Sequence, residues 1–94
     1  MRVLGRERIS GFQKNHPDSV APLDCWVGIV EAAAWKSTTE VRATFGSADF
    51  VGGKAIFNIG GNKYRLIAVI SFEIRILSVE AILTHREYDK GKWK

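Results

Sequence analysis

"KAIFNIGGNKYRLIAVISFEIRILSVEAILTHREYDK", residues 54–90, decides the fold. Three apolar runs of strand length, 54–59, 63–72 and 76–83, are separated by "GGN" and "EIR". Paired glycines adopt positive φ without steric cost, so "GGN" reads as a tight reversal. The spacing predicts an antiparallel meander. Alternation within the runs is imperfect, and their apolar character predicts a sheet covered on both faces for much of its length. Within the middle run, Lys63, Arg65, Ile67, Val69 and Ser71 share one face. Tyr64, Leu66, Ala68, Ile70 and Phe72 share the other, which is the better core face. Antiparallel pairing brings Thr84 and His85 beside the start of the middle strand. Two polar clusters, Lys63 with Arg65 and "THREYDK" (84–90), thereby become neighbours in space.

Residues before about 45 have a different period. Val3 and Leu4 suit a short edge strand. Residues 7–15 read as a short helix that "HP" ends, because the residue before a proline is pushed out of helical geometry. Asp18 or Ser19 caps a second helix running to about residue 34. Its stripe of Val20, Leu23, Trp26, Val27, Val30, Ala33 and Ala34 recurs at helical spacing, with Pro22 tolerated in the first turn. "STTE", 37–40, fits a capping box, and the helix it opens is expected to end at Gly46 in a left-handed cap. The class is α+β, with N-terminal helices packed on one face of the antiparallel sheet.

Ninety-four residues predict a single domain over 1–94. A 46% hydrophobic and 26% charged composition argues against disorder. No apolar run approaches the roughly 20 residues of a membrane helix, and "MRVLGRERIS" lacks the apolar centre of a signal peptide. One cysteine, Cys25, forms no internal disulfide and reads as a buried thiol. These features predict a soluble, cytoplasmic chain. The +4 net charge, 14 Lys and Arg against 10 Asp and Glu, favours a polyanionic partner. Arg86, Lys90, Lys92 and Lys94 concentrate it near the C-terminus.

"ADFVGGKAIFNIGGNKYRLI" followed by "THREYDK" resembles the HigB toxins of type II toxin–antitoxin systems, within the RelE-like superfamily. "KNHPDSVAPLDCW" and "AAAWKSTTEVRATFGSADF" extend the resemblance over nearly the whole chain, with "NIGGNKYRL" and "TH-x-EYD" its most specific parts. Arg86 stands where the family more often has alanine. The resemblance implies a RelE-like fold with helices against a twisted antiparallel sheet. It implies a ribosome-dependent mRNA endoribonuclease, an mRNA interferase, that inhibits translation. Its implied partners are mRNA on the ribosome and a HigA-type helix-turn-helix antitoxin.

Metal-independent RNA cleavage proceeds by attack of the ribose 2′-OH on the adjacent phosphate. It needs a proton acceptor, a donor for the leaving oxygen and cations for the charge that builds on phosphate. Arg65 is the first candidate, because a guanidinium holds two phosphate oxygens at once and stays charged; the competing reading is a solvated or salt-bridged strand arginine. His85 titrates near neutrality, or else hydrogen-bonds a strand end. Tyr88 stacks a base, joins the proton transfer, or packs over the sheet edge. Lys54, Lys63, Arg86, Lys90 and Lys92 are expected to line an RNA funnel. Glu87 is expected to tune Arg86 or orient the tail. Neither a metal site nor a cofactor is expected: His16 and His85 are far apart in sequence, and one cysteine makes no zinc site. A non-catalytic RNA- or ribosome-binding module explains the same charges without proton transfer, and a subunit binding an acidic peptide is a third reading.

Overall fold

The structure, a computed structural model, describes residues 1–93. Lys94, part of the basic tail read from the sequence, lies outside the described residues. The chain runs β1 (Arg2–Leu4), α1 (Arg6–Asn15), a 3-10 turn (Pro17–Ser19), α2 (Val20–Ala32), α3 (Thr38–Thr44), β2 (Asp49–Val51), β3 (Lys54–Ile59), β4 (Tyr64–Ser71), β5 (Ile76–Thr84) and α4 (His85–Asp89). Pro17 ends α1 as expected; His16 leaves helical geometry, while its N–H still donates to Phe12 O. In α2 the buried positions are Leu23, Trp26, Val27 and Val30, the centre of the expected stripe. Val20, at the stripe's edge, is 41% exposed.

Two local expectations are corrected. Ser37 Oγ accepts from Glu40 N, but the Glu40 carboxylate accepts from Lys36 N, one residue before the cap, so half of the capping box forms. α3 ends at Phe45 in extended geometry, and Gly46 does not adopt positive φ. The chain must turn directly into β2, and a left-handed residue is not used there.

The sheet has order β1-β5-β4-β3-β2. The expected meander is β3–β4–β5, antiparallel throughout. β2 extends it antiparallel, while β1 joins β5 in parallel, making the sheet mixed. Gly60 and Gly61 turn between β3 and β4 with φ of 64° and 71°, where a side chain would be strained. Between β4 and β5, Arg75 takes φ 57° as a non-glycine.

Tyr64, Leu66 and Ala68 face the helices in one cluster with Leu23, Trp26, Val30, Phe57 and Leu77. Each fully buried large apolar side chain there contributes about 1.5–3 kcal/mol. Alternation puts Ile56 and Ile67 on the other face, also buried at 2% and 1% exposure. The register slips between Ile67 and Ala68, which pair with Ala81 and Val79; Glu80 is the extra residue of the bulge. Among the described residues no helix is long and apolar enough to cross a membrane.

Candidate active site

The second cluster, "THREYDK", opens a helix. Thr84 Oγ1 accepts from Glu87 N at 3.2 Å, and Glu87 Oε1 accepts from Thr84 N at 2.9 Å, a complete capping box. Glu87 therefore caps α4, correcting the expectation that it tunes Arg86 or the tail. The Thr84 N–H, chief among the causes, holds the Glu87 carboxyl below its usual range. Tyr64 pairs with Thr84 across the sheet, and His85 N donates to Lys63 O at 3.1 Å. The start of α4 is thus tied to the start of β4, and the two sequence clusters meet as anticipated.

Arg65 pairs with Asn58 on one side and Leu83 on the other, facing away from the helices. It is only 9% exposed. Its Nη1 donates to Asn62 O at 3.3 Å and Tyr64 O at 3.2 Å, and its Nη2 donates to Asn62 Oδ1 at 2.7 Å. Arg65 is not solvated and has no carboxylate partner among the described residues. Its Cζ lies 5.4 Å from the centroid of the Tyr88 ring, a cation–π contact. Trp93 stacks on that same ring at 4.9 Å and 13°, and its indole N–H donates to Tyr88 O at 2.9 Å.

His85 is the first residue of α4, and its Nδ1 lies 2.9 Å from Asp89 Oδ2, one turn on. A carboxylate oxygen only accepts, so Nδ1 carries the proton and Nε2 is left for another partner. Tyr88, three residues on, lies on the adjoining side of the helix. His85 and Arg65 share no hydrogen bond; Tyr88 and the Lys63 carbonyl link them. A cavity of about 260 Å³ lies beside this cluster, lined by Leu83, Glu87, Lys90 and Lys92. Arg86, Lys90 and Lys92 form no ion pair among the described residues.

Two expected cations are engaged elsewhere. Lys54 Nζ is 2.7 Å from Glu80 Oε1. Lys63 does not project beside Arg65: it lies in the turn before β4 and reaches back to the helical layer, with Nζ 2.6 Å from Asp18 Oδ2. The Tyr64 hydroxyl donates to the other oxygen, Oδ1, at 2.7 Å. Lys63 first, then Tyr64, holds the Asp18 carboxyl below its ordinary value, and Asp18 in turn raises both partners. His16 stacks on Phe12 at 4.0 Å and meets the Tyr64 ring edge-on at 5.4 Å. Asp18 and Asn62 are the polar residues the sequence reading passed over. Asp18 was expected only as a helix cap and Asn62 only as a turn residue, yet Asn62 stands three positions before the arginine it holds. Cys25 is exposed, correcting the buried-thiol reading. Among the described residues no group of three or more His, Cys, Asp or Glu side chains is placed to hold a metal ion.

A family model described as HigB_toxin, RelE-like toxic component of a toxin-antitoxin system, matches residues 19–91. The mRNA interferase toxin HigB of Escherichia coli (strain K12) is 24% identical over 92 residues, covering 95% of this chain and 88% of the relative. The mRNA interferase HigB of Shigella flexneri matches to the same extent. The mRNA interferase HigB of Escherichia coli O6:H1 is 24% identical over 93 residues, covering 96% of this chain and 90% of the relative.

Proposed function

The chain belongs to the HigB family of RelE-like toxins, toxic components of toxin–antitoxin systems, and from that premise we propose that it is an endoribonuclease that cuts mRNA on the ribosome. The observation that carries this reading is the lone guanidinium of Arg65. It is buried in the sheet, without a carboxylate partner among the described residues, beneath Tyr88 and beside the origin of the His85 helix. A buried cation is costly to keep unless something anionic uses it.

In the proposed reaction the 2′-oxygen attacks the adjacent phosphorus, the 2′-proton passes to a base, and the bond to the 5′-oxygen breaks. That oxygen takes a proton from an acid, leaving a 2′,3′-cyclic phosphate and a 5′-OH. No water or metal is required for this balance. Arg65 stabilises the charge on the non-bridging oxygens. His85, oriented by Asp89, and Tyr88 are the groups that exchange protons with the 2′- and 5′-oxygens. Arg86, Lys90 and Lys92 attract the RNA backbone, joined by Lys54 and Lys63 when strand phosphates compete with Glu80 and Asp18. The ribosome supplies alignment of the in-line geometry, which is worth several kcal/mol of barrier.

As a toxic component the protein has an antitoxin partner; a HigA-type helix-turn-helix protein fits the family. One domain acting in the cytoplasm completes the reading. The rival, a non-catalytic RNA- or ribosome-binding module, is favoured by the basic run of Arg86, Lys90 and Lys92, which needs no proton transfer to attract RNA.

Induced expression with mapping of RNA 5′ ends decides between them. Cleavage gives growth arrest and new 5′-OH ends inside translated codons, and Arg65→Ala and His85→Ala relieve the arrest by slowing cleavage about 10²–10³-fold. Purified ribosomes that bind the protein but yield no new ends establish the rival reading. Full cutting by both variants refutes the residue assignment.

A further inference from the structure

A guanidinium offers five N–H groups on two usable edges, the end formed by Nη1 and Nη2 and the side formed by Nε and Nη2. In Arg65, Nη1 donates to Asn62 O and Tyr64 O, and Nη2 donates to Asn62 Oδ1. The two oxygens of Asn62 thus engage both nitrogens of the end edge. Nε and the second Nη2 proton have no acceptor among the described residues. We propose that Asn62 is a positioning residue for phosphate recognition: it occupies the end edge of Arg65, fixes the guanidinium plane under Tyr88, and leaves the Nε–Nη2 side edge to meet two phosphate oxygens. This rests on the reading of Arg65 as the phosphate cation.

The turn itself does not need the Asn62 side chain. Gly60 and Gly61 supply its positive φ values, and Lys63 N closes it on Gly60 O. Asn62 is an exposed residue, so its truncation opens no core cavity. What truncation removes is the shortest of the three bonds to Arg65, at 2.7 Å. Without it the guanidinium rotates about its terminal bonds, and the side edge is presented only part of the time.

Two measurements test this on the full chain. The first is low-temperature NMR of the Arg65 guanidinium protons. Wild type gives separate Nη signals because rotation is restrained, Asn62→Ala merges them, and Asn62→Asp, which keeps the Oδ1 acceptor, leaves them separate. The second is single-turnover cleavage on programmed ribosomes at saturating protein. Loss of one charge-assisted hydrogen bond predicts about a 10- to 100-fold slower step for Asn62→Ala with KM within about threefold. In an Arg65→Ala background the same change has no further effect on the residual rate. Unmerged signals in Asn62→Ala, an unchanged wild-type-background rate, or an equal loss in the Arg65→Ala background would each overturn the proposal. If wild type cuts nothing, the endoribonuclease reading falls by itself; the guanidinium spectrum still decides whether Asn62 holds Arg65.

Discussion

Replacing Arg65 by methionine separates what this residue does for stability from what it does for RNA. Methionine keeps an unbranched stem of similar reach in the row between Asn58 and Leu83. It loses one short charge-assisted bond to Asn62, two longer ones to backbone carbonyls, and the cation–π contact with Tyr88. The short bond is worth about 1.5–3 kcal/mol and the ring contact about 0.5–1 kcal/mol. Against this, methionine removes a desolvation penalty that runs to several kcal/mol for a buried ion. Asn62, being exposed, regains water at its oxygens. The terms nearly cancel, leaving a net loss of about 0–2 kcal/mol. For a chain of this size, that lowers Tm by no more than about 15 °C. In the proposed reaction cleavage has no such compensation: if Arg65 is the phosphate cation, its loss costs about 10²–10³ in rate. Thermal unfolding by circular dichroism and single-turnover cleavage on programmed ribosomes read the two effects separately. A variant that fails to fold would show that Arg65 is kept for the sheet. A folded variant cutting within threefold of wild type would show that the guanidinium is not the phosphate cation.

Thr84→Ala removes half of the capping box at the start of α4 and costs about 1 kcal/mol in urea unfolding, while lowering cleavage more than that loss accounts for, because His85 and Tyr88 both ride on this helix. Arg75→Asn relieves a positive φ at a non-glycine and raises stability by about 0.5–1 kcal/mol, read from the urea midpoint at constant m-value. The Asp18 carboxyl is held below its ordinary value by Lys63 and then Tyr64, so the stability it contributes is fully present above about pH 4 and is lost as pH falls through the lowered value. Asp18→Asn removes that contribution, so its acid-unfolding curve, followed by fluorescence, falls less steeply below pH 4 than that of wild type.

Strand periodicity was enough to place β3, β4 and β5 and to separate Leu66 and Ala68 from Arg65. The parallel seat of β1 was not legible, since three residues carry no partner information. β2 was hidden because Asp49–Val51 adjoins glycines that read as connection. Lys63 was misplaced by extending the strand one residue into the turn, where strict alternation no longer applies. Its attachment to Asp18 depends on how the helical layer crosses the sheet end, which no local pattern encodes. The capping box of α4 was present in the sequence as Thr84 with Glu87 three positions on, the very spacing recognised at Ser37 and Glu40. Read as a strand-end cluster, it passed unnoticed. Trp93 on Tyr88 is a tail contact that composition alone could not orient.

The pairing of Arg2 with Ile76 also fixes an order of events during synthesis. α1 and α2 leave the ribosome with their apolar sides bare, because the strands that cover them, residues 54–84, are translated afterwards. At about 5–20 residues per second that stretch takes roughly 2–6 s. The first strand waits throughout for its neighbour; Arg65 arrives part-way, and His85 and Tyr88 follow only after the last strand. A nascent chain interrupted before β5 therefore lacks both His85 and Tyr88, and its first strand has no neighbour in the sheet until the last one docks.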